Sequence, residues 1–211
     1  MGIQEQFWSK EYAEEYIERN SNFDINSGVE AWSKILKNTH DIKSVLECGC
    51  NIGRNIELLN HYLPESKKSI IELSPIPYEI VTKKYDFEYS VNSSILEADL
   101  PNNYFDLVFT TGVLIHIHPD KLLENMQKMY DLSKKYVAFG EIFSRVPGHV
   151  HYRGRDDLLF KRDFGRFFIE HFDCRPIDYG FLWGHYYDDA GFDDSTYWVF
   201  EKLDWLLIHY W

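Results

Sequence analysis

Ser44-Val45-Leu46-Glu47-Cys48-Gly49-Cys50-Asn51-Ile52-Gly53-Arg54-Asn55 is the stretch on which the fold turns. Val45 and Leu46 predict a short buried strand. Gly49 and Gly53 predict a turn whose backbone can come close to a bound molecule. Asn55-Ile56-Glu57-Leu58-Leu59 has helical spacing. Glu-x-Gly-x-Asn-x-Gly is a degenerate nucleotide-binding fingerprint. Taken alone, an ordinary strand–turn–helix reads the same way.

Downstream of this stretch the chain alternates strands and helices. After the strand Ser44–Cys48 and the helix Arg54–Tyr62, the pattern predicts a strand over 68–73, a helix over 76–84 and a short strand Tyr89–Val91. A strand over 105–110, a helix Pro119–Leu132 with Pro119 at its first position, and a strand over 136–142 follow. This order predicts an α/β, Rossmann-like, mainly parallel sheet with helices on both faces. Residues 143–161 read as a loop, 162–172 as a helix, and 177–184 and 196–201 as late strands. The acidic segment 188–194 joins those strands. They are expected to lie antiparallel at one sheet edge, with the apolar tail 203–211 as a docking helix or partner contact.

Upstream, residues 4–19 read as a helix with Phe7, Trp8, Tyr12 and Tyr16 on one face. A second helix over 26–38, capped by Asn26 or Ser27, turns Val29, Trp32, Ile35 and Leu36 inward. These two helices are expected to form an N-terminal cap. The chain is expected to be a single domain: cap 1–42, cofactor-binding core 43–142 and substrate side 143–211.

With 211 residues and 45% hydrophobic content, an ample core is expected. The net charge of −12 argues against nucleic-acid binding, which depends on neutralising phosphates. Cys48, Cys50 and Cys174 are an odd, sparse set without zinc spacing, which fits a reducing cytoplasm. No leader pattern and no run of apolar residues long enough for a membrane span is read, so a cytoplasmic location without membrane insertion is expected.

The strand ends hold the candidate chemistry. Glu72 can accept hydrogen bonds from both hydroxyls of a ribose, although a salt-bridged structural role is also open. Asn92-Ser93-Ser94-Ile95 offers small polar residues suited to the edge of an adenine. Thr110-Thr111-Gly112-Val113-Leu114-Ile115-His116-Ile117-His118 holds a glycine and two histidines, without a third ligand at metal spacing; no metal is expected.

Taken together, Glu47-x-Gly49-Cys50-Asn51-x-Gly53, Glu72, Phe105-Asp106-Leu107-Val108 and Gly112-Val113-Leu114-Ile115-His116-Ile117 resemble class I S-adenosylmethionine-dependent methyltransferases over residues 43–142. A further likeness runs along nearly the whole chain. It comprises Tyr16-Ile17-Glu18-Arg19-Asn20-Ser21, Gly112–Ile117, Tyr152-Arg153-Gly154, Leu159-Phe160-Lys161-Arg162-Asp163-Phe164 and Tyr179-Gly180-Phe181. These segments are similar to the methylases associated with pseudaminic acid biosynthesis, which are encoded beside enzymes for bacterial nonulosonic acids on flagellins and surface glycans. Glu47 stands where the fingerprint more often has Asp, Asn51 stands for its third glycine, and the tail 203–211 runs beyond the matching part.

The resemblance implies S-adenosylmethionine as donor. Glu47, Gly49, Cys50, Asn51 and Gly53 would pass beneath its methionine and ribose. Glu72, Leu73 and Ser74 would hold the ribose side, and Ser93, Ser94 and Ile95 would border adenine. Thr111, Gly112 and Val113 would lie near the methionine part, and Trp8, Tyr12, Tyr16 and Arg19 would close over it. The methyl acceptor is expected to be a small anionic sugar. His149, Tyr152, Arg153 and Arg155 are its candidate holders, with the alternative that the arginines pair with Asp156, Asp157 or Asp163. His116, Glu141 and His151 are the candidate bases. A non-catalytic cofactor-binding partner and an amino-acid or protein methyltransferase are the other expectations.

Overall fold

A run such as Leu107-Val108-Phe109 has no polar face, so it must be covered on both sides. In the computed structural model, which describes residues 2–8, 17 and 23–203 (the side chain of residue 188 excepted), it is. The strands β1 Ser44–Cys48, β2 Lys67–Ile71, β3 Tyr89–Val91, β4 Phe105–Thr111 and β5 Ser133–Glu141 lie parallel. Beyond β5, β8 Cys174–Leu182 and β9 Ser195–Lys202 complete a sheet of order β3-β2-β1-β4-β5-β9-β8, with β9 antiparallel to both of its neighbours. The late strands thus form the expected antiparallel edge. A separate pair, β6 Gly148–His149 and β7 Phe160–Lys161, closes the loop after β5, which was not expected.

Strand alternation assigns each core residue to a face. Val45, Leu107, Phe109 and Ala138 point to the face covered by α2 Ile25–Ile35 and α3 Arg54–Tyr62, where Trp32, Ile35, Leu58 and Leu59 are buried. Leu46, Val108, Val137 and Phe139 point to the other face. There they meet Leu122, Met126 and Met129 of α5 Pro119–Leu132, and Phe164 and Phe168 of α6 Phe164–His171. Helix α4, Pro75–Lys84, brings Val81 against Ile56 and Ile70.

Helix α2 packs on the sheet face rather than over the strand ends. It crosses α3 at Gly28, where an added Cβ would lie 2.5 Å from Leu58 Cδ2. Its cap is Asp24, not Asn26 or Ser27. The Asp24 carboxylate accepts the backbone N–H groups of Asn26 and Ser27, so the helix starts earlier than the sequence pattern implied. Of the helix expected over 4–19, the described part is α1, Ile3–Gln6, followed by Phe7 and Trp8. Tyr12, Tyr16, Arg19 and residues 204–211 lie outside the described residues. The strand expected over 177–184 instead spans Cys174–Leu182, and the chain turns at once into the short helix α7 Gly184–Tyr187.

Candidate active site

The carboxyl ends of β1–β4 surround a cavity of about 470 Å³. Its floor is the turn after β1. Gly49 has φ +80° and Asn51 φ 48°, both left-handed, a region that Gly and Asn enter most readily. A Cβ on Gly49 would lie 2.6 Å from Val113 Cγ2, so only glycine lets the β1 and β4 loops meet. Gly49 N–H donates to Ile71 O at 2.7 Å, which ties this turn to the end of β2.

Glu72, just past β2, holds the turn in shape. Its Oε2 accepts the Asn51 N–H at 2.7 Å and its Oε1 the Ser74 N–H at 2.8 Å. The carboxyl is buried, and burial raises its pKa against these hydrogen bonds. A carboxylate has about four acceptor positions, so two bonds leave room for two more from a ligand in the cavity. Asn92 Nδ2 donates to Glu72 O and Leu73 O, which joins the end of β3 to the same corner.

A buried polar chain runs behind the floor. Trp32 Nε1 donates to Asn55 Oδ1, and Asn55 Nδ2 donates to Glu47 Oε1 at 2.8 Å and Thr111 Oγ1 at 2.9 Å. Burial pushes the Glu47 carboxyl up to about 8, opposed by the Asn55 bond and the Arg54 charge. Glu47 Oε2 has no hydrogen-bond partner among the described residues and borders a second hollow of about 30 Å³, shared with Cys50, Arg54 and Thr111. That volume suits one small polar group or a water.

His116 forms one wall. Its Nδ1 lies 2.8 Å from Leu158 O, and its ring sits 4.4 Å from the ring of Trp8 and 5.7 Å from that of Tyr152. Burial lowers its pKa to about 4, outweighing the carbonyl contact. A neutral ring facing a carbonyl, which can only accept, must carry its proton on Nδ1; the Nε2 lone pair is then free for chemistry.

The structure brings Trp8, Gly49, Asn51, Glu72, Leu73, Ser74, Ser93, Ser94, Ile95, Thr111, Gly112, Val113 and His116 to one cavity. Glu47 and Cys50 lie behind it, and Gly53 packs on Val81 and Tyr85 as the left-handed start of α3. Glu141 is not placed as a base. It is 1% exposed, and its oxygens accept the N–H groups of Val113, Leu114 and Ile115 at 3.0–3.2 Å. It therefore caps the turn that carries His116, with its pKa pushed up to about 8 by burial against those bonds.

His151 is also displaced from that role, since it is exposed and paired with Asp156 at 2.9 Å. Arg155 makes a two-pronged pair with Asp157, and Arg153 lies over the Tyr152 ring. His149, Tyr152, Arg153 and Arg155 do not line the cavity. His118, which the sequence reading weighed as a metal ligand, lines it, as do Lys121 and Asn125, which sequence reading missed. Their spacing along the start of α5 puts them on one helix face, a signal that was available.

A protein family described as a methyltransferase domain matches residues 45–135. No curated protein matches the chain. Among solved structures, the 1,6-didemethyltoxoflavin-N1-methyltransferase of Burkholderia thailandensis, with 1,6-didemethyltoxoflavin and S-adenosylhomocysteine bound, superposes with TM-score 0.68 at 14% identity, covering 96% of this chain and 88% of that one. The magnesium protoporphyrin IX methyltransferase of Synechocystis PCC 6803, with S-adenosylmethionine bound, has TM-score 0.67 at 12% identity, covering 95% and 96%. The [4+2]-cyclase SpnF has TM-score 0.70 at 10% identity, covering 95% of this chain and 97% of that one.

The sheet order and the glycine turn define the class I methyltransferase fold. Within that fold, residues 45–135 carry the match to a methyltransferase domain, and the solved neighbours of the same fold include S-adenosylmethionine-dependent methyltransferases.

Proposed function

We propose that this enzyme moves a methyl group from S-adenosylmethionine to a small anionic acceptor, a nonulosonic acid of the pseudaminic or legionaminic type or its nucleotide-activated precursor, in cytoplasmic assembly of bacterial surface or flagellar glycans. The observation that carries the donor half is Glu72. It is a buried carboxylate at the cavity edge with acceptor capacity left over, beside a glycine turn that a Cβ would fill. Bound there, the donor supplies an electrophilic methyl on a sulfonium, and the protein's main task is positioning.

In this reading Glu72 receives the ribose hydroxyls. Leu73, Ser93, Ser94 and Ile95 border adenine, while Gly49, Asn51, Thr111, Gly112 and Val113 run along the methionine side. Trp8 closes the cavity. Among the three candidate bases only His116 faces it, with Nε2 available to take an acceptor proton.

The acceptor half is supported differently. The cluster at 149–155 is occupied with its own aspartates and with Tyr152, so the lysine bordering the cavity is Lys121, which also pairs with Glu124 on the helix surface. Lys121 supports an anionic acceptor, and the likeness of the 152–164 segment to the pseudaminic acid methylases supports its chemical class.

A second reading is favoured by one observation. The [4+2]-cyclase SpnF shares this fold. The cavity could hold the donor without transferring its methyl, with the chain acting as a partner in a glycosylation complex.

The test has two stages. Calorimetry with S-adenosylhomocysteine should show binding that Glu72→Ala weakens; no binding by the wild type removes the donor assignment. Incubation with labelled donor and a CMP-activated nonulosonic acid should then label the sugar. Binding without transfer to that sugar or its precursors removes the acceptor. Label in protein favours a protein methyltransferase, and binding with no turnover on any cell extract favours the partner reading.

A further inference from the structure

We infer that the outer edge of β8 is the contact surface for a second copy of this chain. β8 ends the sheet, and among the described residues no strand pairs with its outer side. An open edge is a template for another strand, and proteins usually blunt it with lysine, proline or a bulge. Here the bulge and Pro176 lie at the start of β8, between Pro176 and Asp178. From Asp178 to Trp183 the edge has neither lysine nor proline.

Its side chains are instead aromatic and out in solvent. Tyr179 is 72% exposed, Phe181 59% and Trp183 56%. Each aromatic side chain carries about 150–250 Å² of surface, so these three present about 350 Å². A standard interface needs about 800 Å² per partner. Trp198, in register with Tyr179, is itself buried, and the surface added beyond these three is that of the half-exposed Phe143, whose ring meets that of Trp198.

The occupant follows from the symmetry of the segment. A two-fold axis through Gly180 pairs Tyr179 with Phe181 of the second copy, and Phe181 with its Tyr179. An isologous contact requires this kind of self-complementarity. The only charged side chain in the ladder, Asp178, is buried on the opposite face against Asn38 and Lys37, so it does not meet its symmetry mate. The surface is therefore neutral on a chain of net charge −12. Two copies repel elsewhere, and added salt should strengthen the contact by screening that repulsion.

Sedimentation of the full chain across the micromolar range tests this. The expected result is a monomer–dimer equilibrium that moves toward dimer as salt rises. Tyr179→Glu with Phe181→Glu should weaken the dimer roughly 100-fold while the circular dichroism stays native. A chain ending at Leu203 should still form dimers. Hydrogen exchange on the wild type gives a readout free of mutation: amides of 178–182 should gain protection as concentration rises. A monomer at every concentration overturns the inference. So does a dimer that survives both glutamates, or one lost on removing residues 204–211 alone. Donor binding does not enter these measurements, so they stand or fall separately from the proposed reaction.

Discussion

The Glu72 carboxylate accepts the backbone N–H of Asn51 at 2.7 Å across the gap between the first two strand ends. One side chain thereby fixes the glycine turn and faces the cavity. Replacing Glu72 with Ala leaves the N–H groups of Asn51 and Ser74 unpaired in a buried corner, at about 1–3 kcal/mol each. Glu72→Gln keeps the shape but turns an amide NH₂ toward one of those N–H groups. Both variants should bind S-adenosylhomocysteine at least tenfold more weakly, and the alanine variant should also melt several degrees lower. Calorimetry beside thermal melting separates the two effects. Unchanged affinity in both variants would show that Glu72 serves the turn alone.

Gly49 carries a more drastic expectation. Gly49→Ala must place a Cβ at φ +80° and 2.6 Å from Val113 Cγ2. The backbone strain costs about 1–2 kcal/mol before any clash is counted. Val113→Ala added to Gly49→Ala should restore part of the lost stability, because it removes the clashing methyl groups. Chemical denaturation of the two variants checks this, and no recovery in the pair would mean that strain rather than contact dominates.

The turn was legible because glycine at a strand end has few uses. Glu72 was legible because a carboxylate following an apolar strand needs a partner. Glu141 satisfies the same sequence rule and yet has a different role. What separates them is tertiary: the loop after β4 turns three N–H groups onto Glu141, and nothing in its own segment announces that. The 149–155 cluster misled for a local reason. Its histidine and arginine content reads as cationic, but Asp156 and Asp157 follow at once and take up His151 and Arg155. The helix cap was ambiguous because Asp24, Asn26 and Ser27 are all competent caps, and where α2 begins depends on its crossing with α3.

Glu47 makes stability depend on pH in a defined direction. Burial holds its carboxyl near 8 in the folded chain, above the ordinary carboxylate range of the unfolded one. Across that interval the native state keeps a proton that the unfolded state has lost, so stability falls as pH rises. Glu141 adds to the same slope. Glu47→Gln cannot ionise and can keep the bond from Asn55 through its Oε1. It should match the wild type near pH 4.5 and exceed it by roughly 4 kcal/mol near pH 8. Melting curves at both pH values decide the matter; a gap that does not change with pH means that Glu47 does not titrate in this interval.

His116 acts with the opposite sign. Its pKa is lowered to about 4, below the ordinary histidine value near 6.5, so the unfolded chain binds the extra proton first as pH falls. Stability is therefore complete above about 6.5 and is lost progressively down to about 4. His116→Gln should flatten this acid limb. Nitrogen NMR of the ring should show a protonated Nδ1 and an unprotonated Nε2 that holds until the pH nears 4, because Leu158 O offers only an acceptor to Nδ1. If His116 is the base, methyl transfer should share that low limb instead of failing near 6.5. The glutamine variant should then lose about 100-fold in turnover while keeping its affinity for S-adenosylhomocysteine within a few-fold. A ring that titrates near 6.5 would mean that Trp8 and Tyr152 do not bury it in solution. A variant with normal turnover would leave His116 as a wall of the cavity.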